Sequence, residues 1–206
     1  MTARRIDVDA GRLARWVEGF AQRHAGLTST AWDGDSVRLE AADGALALID
    51  PPFPSEAPLD VEALAAFAAR PRCSVVLLAR RGGYACAAVD GDRVVASKTG
   101  SRYVQARTAA GGWSQQRYAR RRANQADGLV DALVTHAVRL KLTDGAQWVV
   151  TGGDRPLVEQ ALADPRLRGL RGLPRGRHLT VGDPSAALVA DLPQLLASVQ
   201  IRLTEP

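Results

Sequence analysis

A chain of 206 residues, 46% apolar but only 5% aromatic, suits one substantial domain with a small appendage and a core of alanine, valine and leucine. Its formal charge of +5 is local: the window Arg93–Ala126 holds eight basic side chains and no acid, so it carries +8 and the other 172 residues net −3. No apolar run approaches the ~18 residues of a membrane span, Met1–Arg15 lacks a signal-peptide core, and the two cysteines, Cys73 and Cys86, show no zinc-type spacing, so a soluble cytoplasmic protein with packed thiols, no metal and no bound cofactor is the expectation.

In chain order, Asp9 is placed to cap a helix over Ala10–His24, with Leu13, Trp16, Val17 and Phe20 on one face and Gly26 as its stop. Ser36–Glu40 and Ala45–Ile49 read as a hairpin around Asp43-Gly44, a type I′ turn pair. The proline-rich Asp50–Pro54 connector can continue neither element, and an alanine-rich helix follows over Leu59–Ala69. Three strands come next in quick succession, Ser74–Arg80, Tyr84–Val89 and Arg93–Thr99, as an antiparallel meander with short turns. A helix of about 28 residues, Ser114–Lys141, spans roughly 42 Å. Beyond it come a strand (Gln147–Thr151), a helix (Arg155–Ala163), a strand (Arg177–Val181), a helix from the Asp183-Pro184 cap to Ala197, and a last strand (Val199–Leu203). The order from Ser74 is βββαβαβα, an α/β arrangement on a mixed, ribonuclease-H-like sheet. Residues 1–70 are expected to form a helix–hairpin–helix extension packed on a main domain of residues 71–206.

The long helix changes character along its length. From Ala126 onward Leu129, Val130, Leu133, Val134, Ala137, Val138 and Leu140 make an apolar stripe, whereas Ser114–Gln125 has only Ala119 and Ala123 as apolar aliphatics, beside Tyr118, among four arginines. A helix polar all round does not pack on its own core, so its first turns should project, with Gly111-Gly112 at the tip. Arg117, Arg120, Arg121 and Arg122 have no acid at i±4 and repel one another, which suits contact with a phosphate backbone, with Arg102 and Arg107 as helpers.

The segment Gly-Gly-Trp-Ser-Gln-Gln-Arg-Tyr-Ala-Arg (111–120) resembles the Gly-Gly-Gln-Ser-x-x-Arg-Phe-x-Arg segment of class I peptide release factors, and the longer QARTAAGGWSQQRYARRRANQA is similar to that of actinobacterial release-factor-like peptidyl-tRNA hydrolases, relatives of the Vms-type hydrolases of ribosome quality control. The resemblance covers about Ser74–Leu203. It implies that the loop enters the peptidyl transferase centre of the large ribosomal subunit, where a glutamine promotes attack on the ester of peptidyl-tRNA. The residue types fit that chemistry. Gly111 and Gly112 clear side chains where backbone meets RNA, glutamine both donates and accepts and so can orient water, and unpaired N–H groups at a helix start can face an oxyanion. One position departs from the release-factor pattern: Trp113 stands where the glutamine follows the glycines, while Gly112-Trp113-Ser114-Gln115 satisfies the Vms-type Gly-x-x-Gln. Gln115 is therefore the favoured catalytic residue and Gln116 its competitor. Trp113 could stack on a base, and Ser114 could cap the helix or take part. The same departure leaves ester hydrolysis and cleavage of the tRNA near its 3′ end both open, with a non-catalytic ribosome- or RNA-binding factor as the alternative of another class. The implied partners are the large subunit and peptidyl-tRNA, with no membrane; a monomer is expected.

Other features invite plainer readings. His24, His136 and His178 have no partner at catalytic spacing. Thr151-Gly152-Gly153-Asp154 resembles a phosphate-binding turn but lacks the P-loop Lys-Ser/Thr, which favours Asp154 as a helix cap. Arg166, Arg168, Arg171, Arg175 and Arg177 form a second basic group, either an auxiliary ribosome contact or a solvated loop. A magnesium nuclease would need converging carboxylates, and the meander offers only Asp90 and Asp92.

Overall fold

The computed structural model describes the backbone of residues 2–101 and 113–206, and the side chains of residues 4–101 and 125–206. The protein is mixed α/β, with two sheets, and divides into two compact units, Met1–Pro71 with Pro193–Pro206, and Arg72–Leu192.

The first unit opens with β1 (Thr2–Asp9), then a 3-10 turn (Ala10–Arg12), α1 (Leu13–Arg23), β2 (Leu27–Trp32), β3 (Val37–Ala41), β4 (Leu46–Asp50) and α2 (Val61–Ala68). The Asp9 carboxylate accepts from the Gly11 N–H at 2.9 Å, so the cap belongs to the 3-10 turn that leads into α1. The last strand of the chain, β9 (Ser198–Glu205), pairs antiparallel with β1 on one side and β4 on the other, giving the order β1-β9-β4-β3-β2. The helix–hairpin–helix expectation thus lacked two strands, β1 and β2, and the C-terminal strand grouped by sequence with the second domain is an inner strand of the first sheet. Leu13 and Phe20 of α1 and Leu64 of α2 pack with Leu39, Ile49, Val199 and Ile201 from one sheet face. Of the Asp43-Gly44 pair only Gly44 has positive φ (89°), and Ala41 pairs with Ala45 around a three-residue loop. The turn is therefore a type I turn closed by a left-handed glycine, not type I′, which needs positive φ at two residues.

The second unit is built on β5 (Cys73–Arg80), β6 (Gly83–Asp90), β7 (Arg93–Ser101) and β8 (Trp148–Gly153), in the order β7-β6-β5-β8 with only β5 and β8 parallel. On one face, α3 (Trp113–Arg139), α4 (Arg155–Leu162) and a 3-10 segment (Pro165–Leu170) bury Leu129, Leu133, Val134, Val158 and Leu167 against Val75, Leu77 and Cys86. No strand forms over Arg177–Val181; parallel bridges at Arg175 and Leu179 border β8 instead. The expected long C-terminal helix is two short ones, α5 (Ala186–Ala190), capped by Ser185 rather than Asp183, and α6 (Leu192–Leu196). Pro193 explains the break, because its ring fits the first turn of a helix but not the interior of a longer one.

Candidate functional site

Two anchored stems flank residues 102–112. The first is the end of β7, where Tyr84 of β6 lies directly opposite Gly100 and Gly83 opposite Ser101. Tyr84 is buried, and its ring occupies the space above Gly100: a Cβ built there would lie 2.5 Å from the ring's Cε1 and Oη. A glycine is required at that close approach, and the aromatic ring covers the backbone that the missing side chain exposes. The same ring stacks on His136 of α3 with centroids 5.9 Å apart, so the β7 end and the returning helix share one contact.

The second stem is α3 itself. Among its described side chains, Ala126, Leu129, Val130, Leu133, Val134 and Ala137 pack on the core, while Val138, counted by sequence within the stripe, is 41% exposed. Beside the stripe runs a polar line at i, i+4 and i+8. Gln160 of α4 donates to Asp127 at 2.8 Å, and Arg166 donates to Asp131 at 2.8 Å and to Thr135 at 3.2 Å. Arg166 also grips Asp164 through two bonds, 3.0 Å from Nε and 2.8 Å from Nη2, and holds that carboxyl below the usual range. The helix closes with Lys141 at φ 51° and the Leu142 N–H bonded to the Ala137 carbonyl.

Of the predicted site residues, Gly111, Gly112, Arg102 and Arg107 lie outside the described residues. Trp113, Ser114, Gln115, Gln116, Arg117, Arg120, Arg121 and Arg122 belong to α3, and their side chains lie outside the described set. The described part of α3 starts at Trp113, which puts Gln115 near that end of it.

The remaining candidates resolve into structure. Gly152 and Gly153 are demanded by packing: a Cβ on Gly152 would sit 2.7 Å from Leu78 Cδ2, and Gly153 has φ 86° against the Ala79 carbonyl oxygen. Asp154 occupies the cap position of α4, but its side chain makes no cap bond; its N–H donates to Ala79 at 2.7 Å. His178 lies between Thr151 and Gly153 (Nδ1 to Thr151 Oγ1 2.9 Å, Nε2 to the Gly153 carbonyl 3.1 Å). A carbonyl only accepts, so Nε2 carries the proton and Nδ1 accepts from the threonine; burial lowers the pKa and favours this neutral ring. His24 contacts Asp43 at 2.8 Å and is buried beside Phe20. In the second basic group, Arg166 is paired as above, Arg175 bonds Glu159 at 2.6 Å, and Arg171 donates to the carbonyls of Leu162 and Ala163 that end α4. Both cysteines are free; burial pushes the Cys86 thiol up to about 11, and Cys73 donates to Asp90 at 3.2 Å. Among the described residues no group of three His, Cys, Asp or Glu side chains could hold a metal ion, and no helix is long and apolar enough to cross a membrane.

Sequence alone missed the Tyr84–Gly100 contact and the Arg166 brace. The hairpin register around the short turn could have revealed the first; only tertiary structure reveals the second.

A family model described as the Actinobacteria/chloroflexi VLRF1 release factor matches residues 72–202. The chain belongs to this family. The match starts where the second unit starts, at Arg72, and runs into β9. Among solved structures, one titled Vms1 mitochondrial localization core is similar at 11% identity and a TM-score of 0.44, covering 96% of this chain and 82% of that one. No curated protein matches. As a member of the VLRF1 family the protein has a release-factor-like role associated with the ribosome.

Proposed function

We propose that this release factor is a peptidyl-tRNA hydrolase that frees nascent chains from stalled large ribosomal subunits in the cytoplasm. The observation that carries the reading is the family match over residues 72–202 together with the Gly111–Arg122 motif at the head of α3. Water attacks the ester carbonyl carbon, the acyl–oxygen bond breaks, and the proton lost by water ends on the tRNA ribose oxygen. Gln115, with Gln116 as the competing assignment, orients the water by accepting its hydrogen bond. N–H groups at the start of α3 face the developing oxyanion. Gly111 and Gly112 let the loop approach RNA closely, Trp113 stacks on a base, and Ser114 caps the helix. Arg102, Arg107, Arg117, Arg120, Arg121 and Arg122 hold phosphates. The second unit, with its antiparallel meander joined by a parallel strand, serves as a ribonuclease-H-type platform for this loop.

The test uses large subunits carrying a labelled peptidyl-tRNA, resolving both the peptide and the tRNA 3′ end. Free peptide with an intact end is the expected product. Gln115→Ala should lower release at least tenfold without loss of binding, and charge reversal of Arg120 and Arg121 should weaken association itself. Roughly eight phosphate contacts would give binding a log–log salt slope of about −6. A shortened tRNA would make the protein a nuclease, a reading the Gly112-Trp113-Ser114-Gln115 spacing leaves open. Binding with neither product would leave a ribosome-binding module.

A further inference from the structure

Arg166 belongs to the basic group read by sequence as an auxiliary ribosome contact or a solvated loop, yet its guanidinium is engaged by the protein's own Asp131, Thr135 and Asp164. It joins two elements: the 3-10 segment that carries it, whose cap residue Asp164 it also grips, and α3, through Asp131 and Thr135. With the Gln160–Asp127 bond it completes a row of anchors along two turns of α3, at residues 127, 131 and 135. The apolar stripe alone leaves α3 some freedom to tilt or rotate, because side-chain packing is non-directional. Directional bonds on its flank remove that freedom.

We infer that Arg166 is a positioning residue of the release reaction, a brace that fixes the direction of α3 and so where residues 111–116 are delivered. The inference rests on the proposed hydrolase reading. Its leverage follows from length. From Asp131 to Trp113 is eighteen residues, or about 27 Å of helix, so a tilt of about 5° at the brace moves the helix start by roughly 2 Å, and misplacement of about 1 Å can cost a hundredfold in rate. The bonds themselves are half exposed, with Arg166 and Asp131 side chains 43% and 67% accessible, so they contribute little to folding. The brace therefore separates activity from stability.

The decisive experiment measures release from large subunits by Arg166→Ala, Asp131→Asn and the double variant, as a function of subunit concentration. Arg166→Ala should lower the saturated rate about tenfold, leave half-saturation within twofold, and shift Tm by about 2 °C or less; Arg166→Lys should recover part of the rate, and the double variant should be no worse than the worse single one. An unchanged saturated rate overturns the inference, and a raised half-saturation with the rate intact makes Arg166 a ribosome contact instead. Should the wild type release nothing, the hydrolase reading fails by itself and the brace is judged by geometry. Spin labels at Ala119→Cys and the exposed Thr180→Cys, in a Cys73→Ser background that leaves the buried Cys86 untouched, should show a distance distribution broadened by about 2 Å on Arg166→Ala. An identical distribution overturns the brace.

Discussion

Gly100→Ala isolates how the first stem of the loop is held. The added methyl group would lie 2.5 Å from Cε1 and Oη of Tyr84, inside any permitted contact. The ring has no free direction to move, because it is buried and stacked on His136. Forcing a methyl group into such a site costs about 1–3 kcal/mol; for a chain of this size about 2 kcal/mol corresponds to a fall in Tm of roughly 4–8 °C. Thermal unfolding followed by circular dichroism measures it. The control is a double-mutant cycle with Tyr84→Ala, which is itself costly, on the order of 3–5 kcal/mol, but removes the obstacle. In that background Gly100→Ala should cost less than about 0.5 kcal/mol, since alanine suits a strand no worse than glycine, leaving a coupling above about 1.5 kcal/mol. Equal costs in the two backgrounds would refute the reasoning, because the ring would then not be what excludes a side chain at Gly100.

Four further substitutions address residues that the structure uses for its own packing and pairing. Gly153→Ala should destabilise by more than about 2 kcal/mol, since it meets both a positive φ and the Ala79 carbonyl, while Asp154→Ala should change urea unfolding by less than about 0.5 kcal/mol because its side chain caps nothing; the reverse ranking would revive the phosphate-turn reading. His178 has a lowered pKa in the folded protein, so the unfolded chain takes up its proton first: the contribution is complete above about pH 6.5 and is lost as pH falls below it. Stability measured from pH 7.5 to 5.5 should decline, and His178→Gln should flatten the decline. Arg202→Ala should cost about 1 kcal/mol, a modest figure because the bidentate pair with Asp50 (2.7 and 2.8 Å) is partly exposed; a urea midpoint unchanged by the substitution would show the pair to be idle.

Legibility followed the range of the interactions. The meander β5–β7, the long helix and α4 are local in origin, since each strand of the meander pairs with its neighbour across a short turn and the stripe on α3 repeats with the helical period, and β8, though its partner β5 is distant, shows itself as a short apolar run. Their bounds could be read to within two residues. β1 and β2 escaped because they are edge strands with weak alternation, and a strand such as Thr-Ala-Arg-Arg-Ile-Asp-Val-Asp is convincing only with β9 beside it. That partner lies 203 positions away by the register of Thr2 with Glu205, and no window of sequence can show it. The same distance explains why Val199–Leu203 was legible as a strand but not as part of the first sheet. Asp183 was the cap read from sequence, whereas the helix that forms is capped by Ser185, two residues on.

At the site, motif and mounting were legible to different degrees. The glycines, glutamines and arginines of 111–122 announce themselves, because a run of cations with no acid to balance it is conspicuous in a sequence. What directs them does not. Arg166 and Asp131 are ordinary charged residues thirty-five positions apart, and Arg166 read as one more cation in a basic loop until its partners were seen. Composition counts a guanidinium as available charge; structure shows whether a carboxylate has already claimed it. Arg166, Arg171 and Arg175 of that loop are committed to carboxylates or carbonyls, Arg166 on α3 and the other two on α4. A basic cluster in a sequence is therefore not a basic face until its pairing is known.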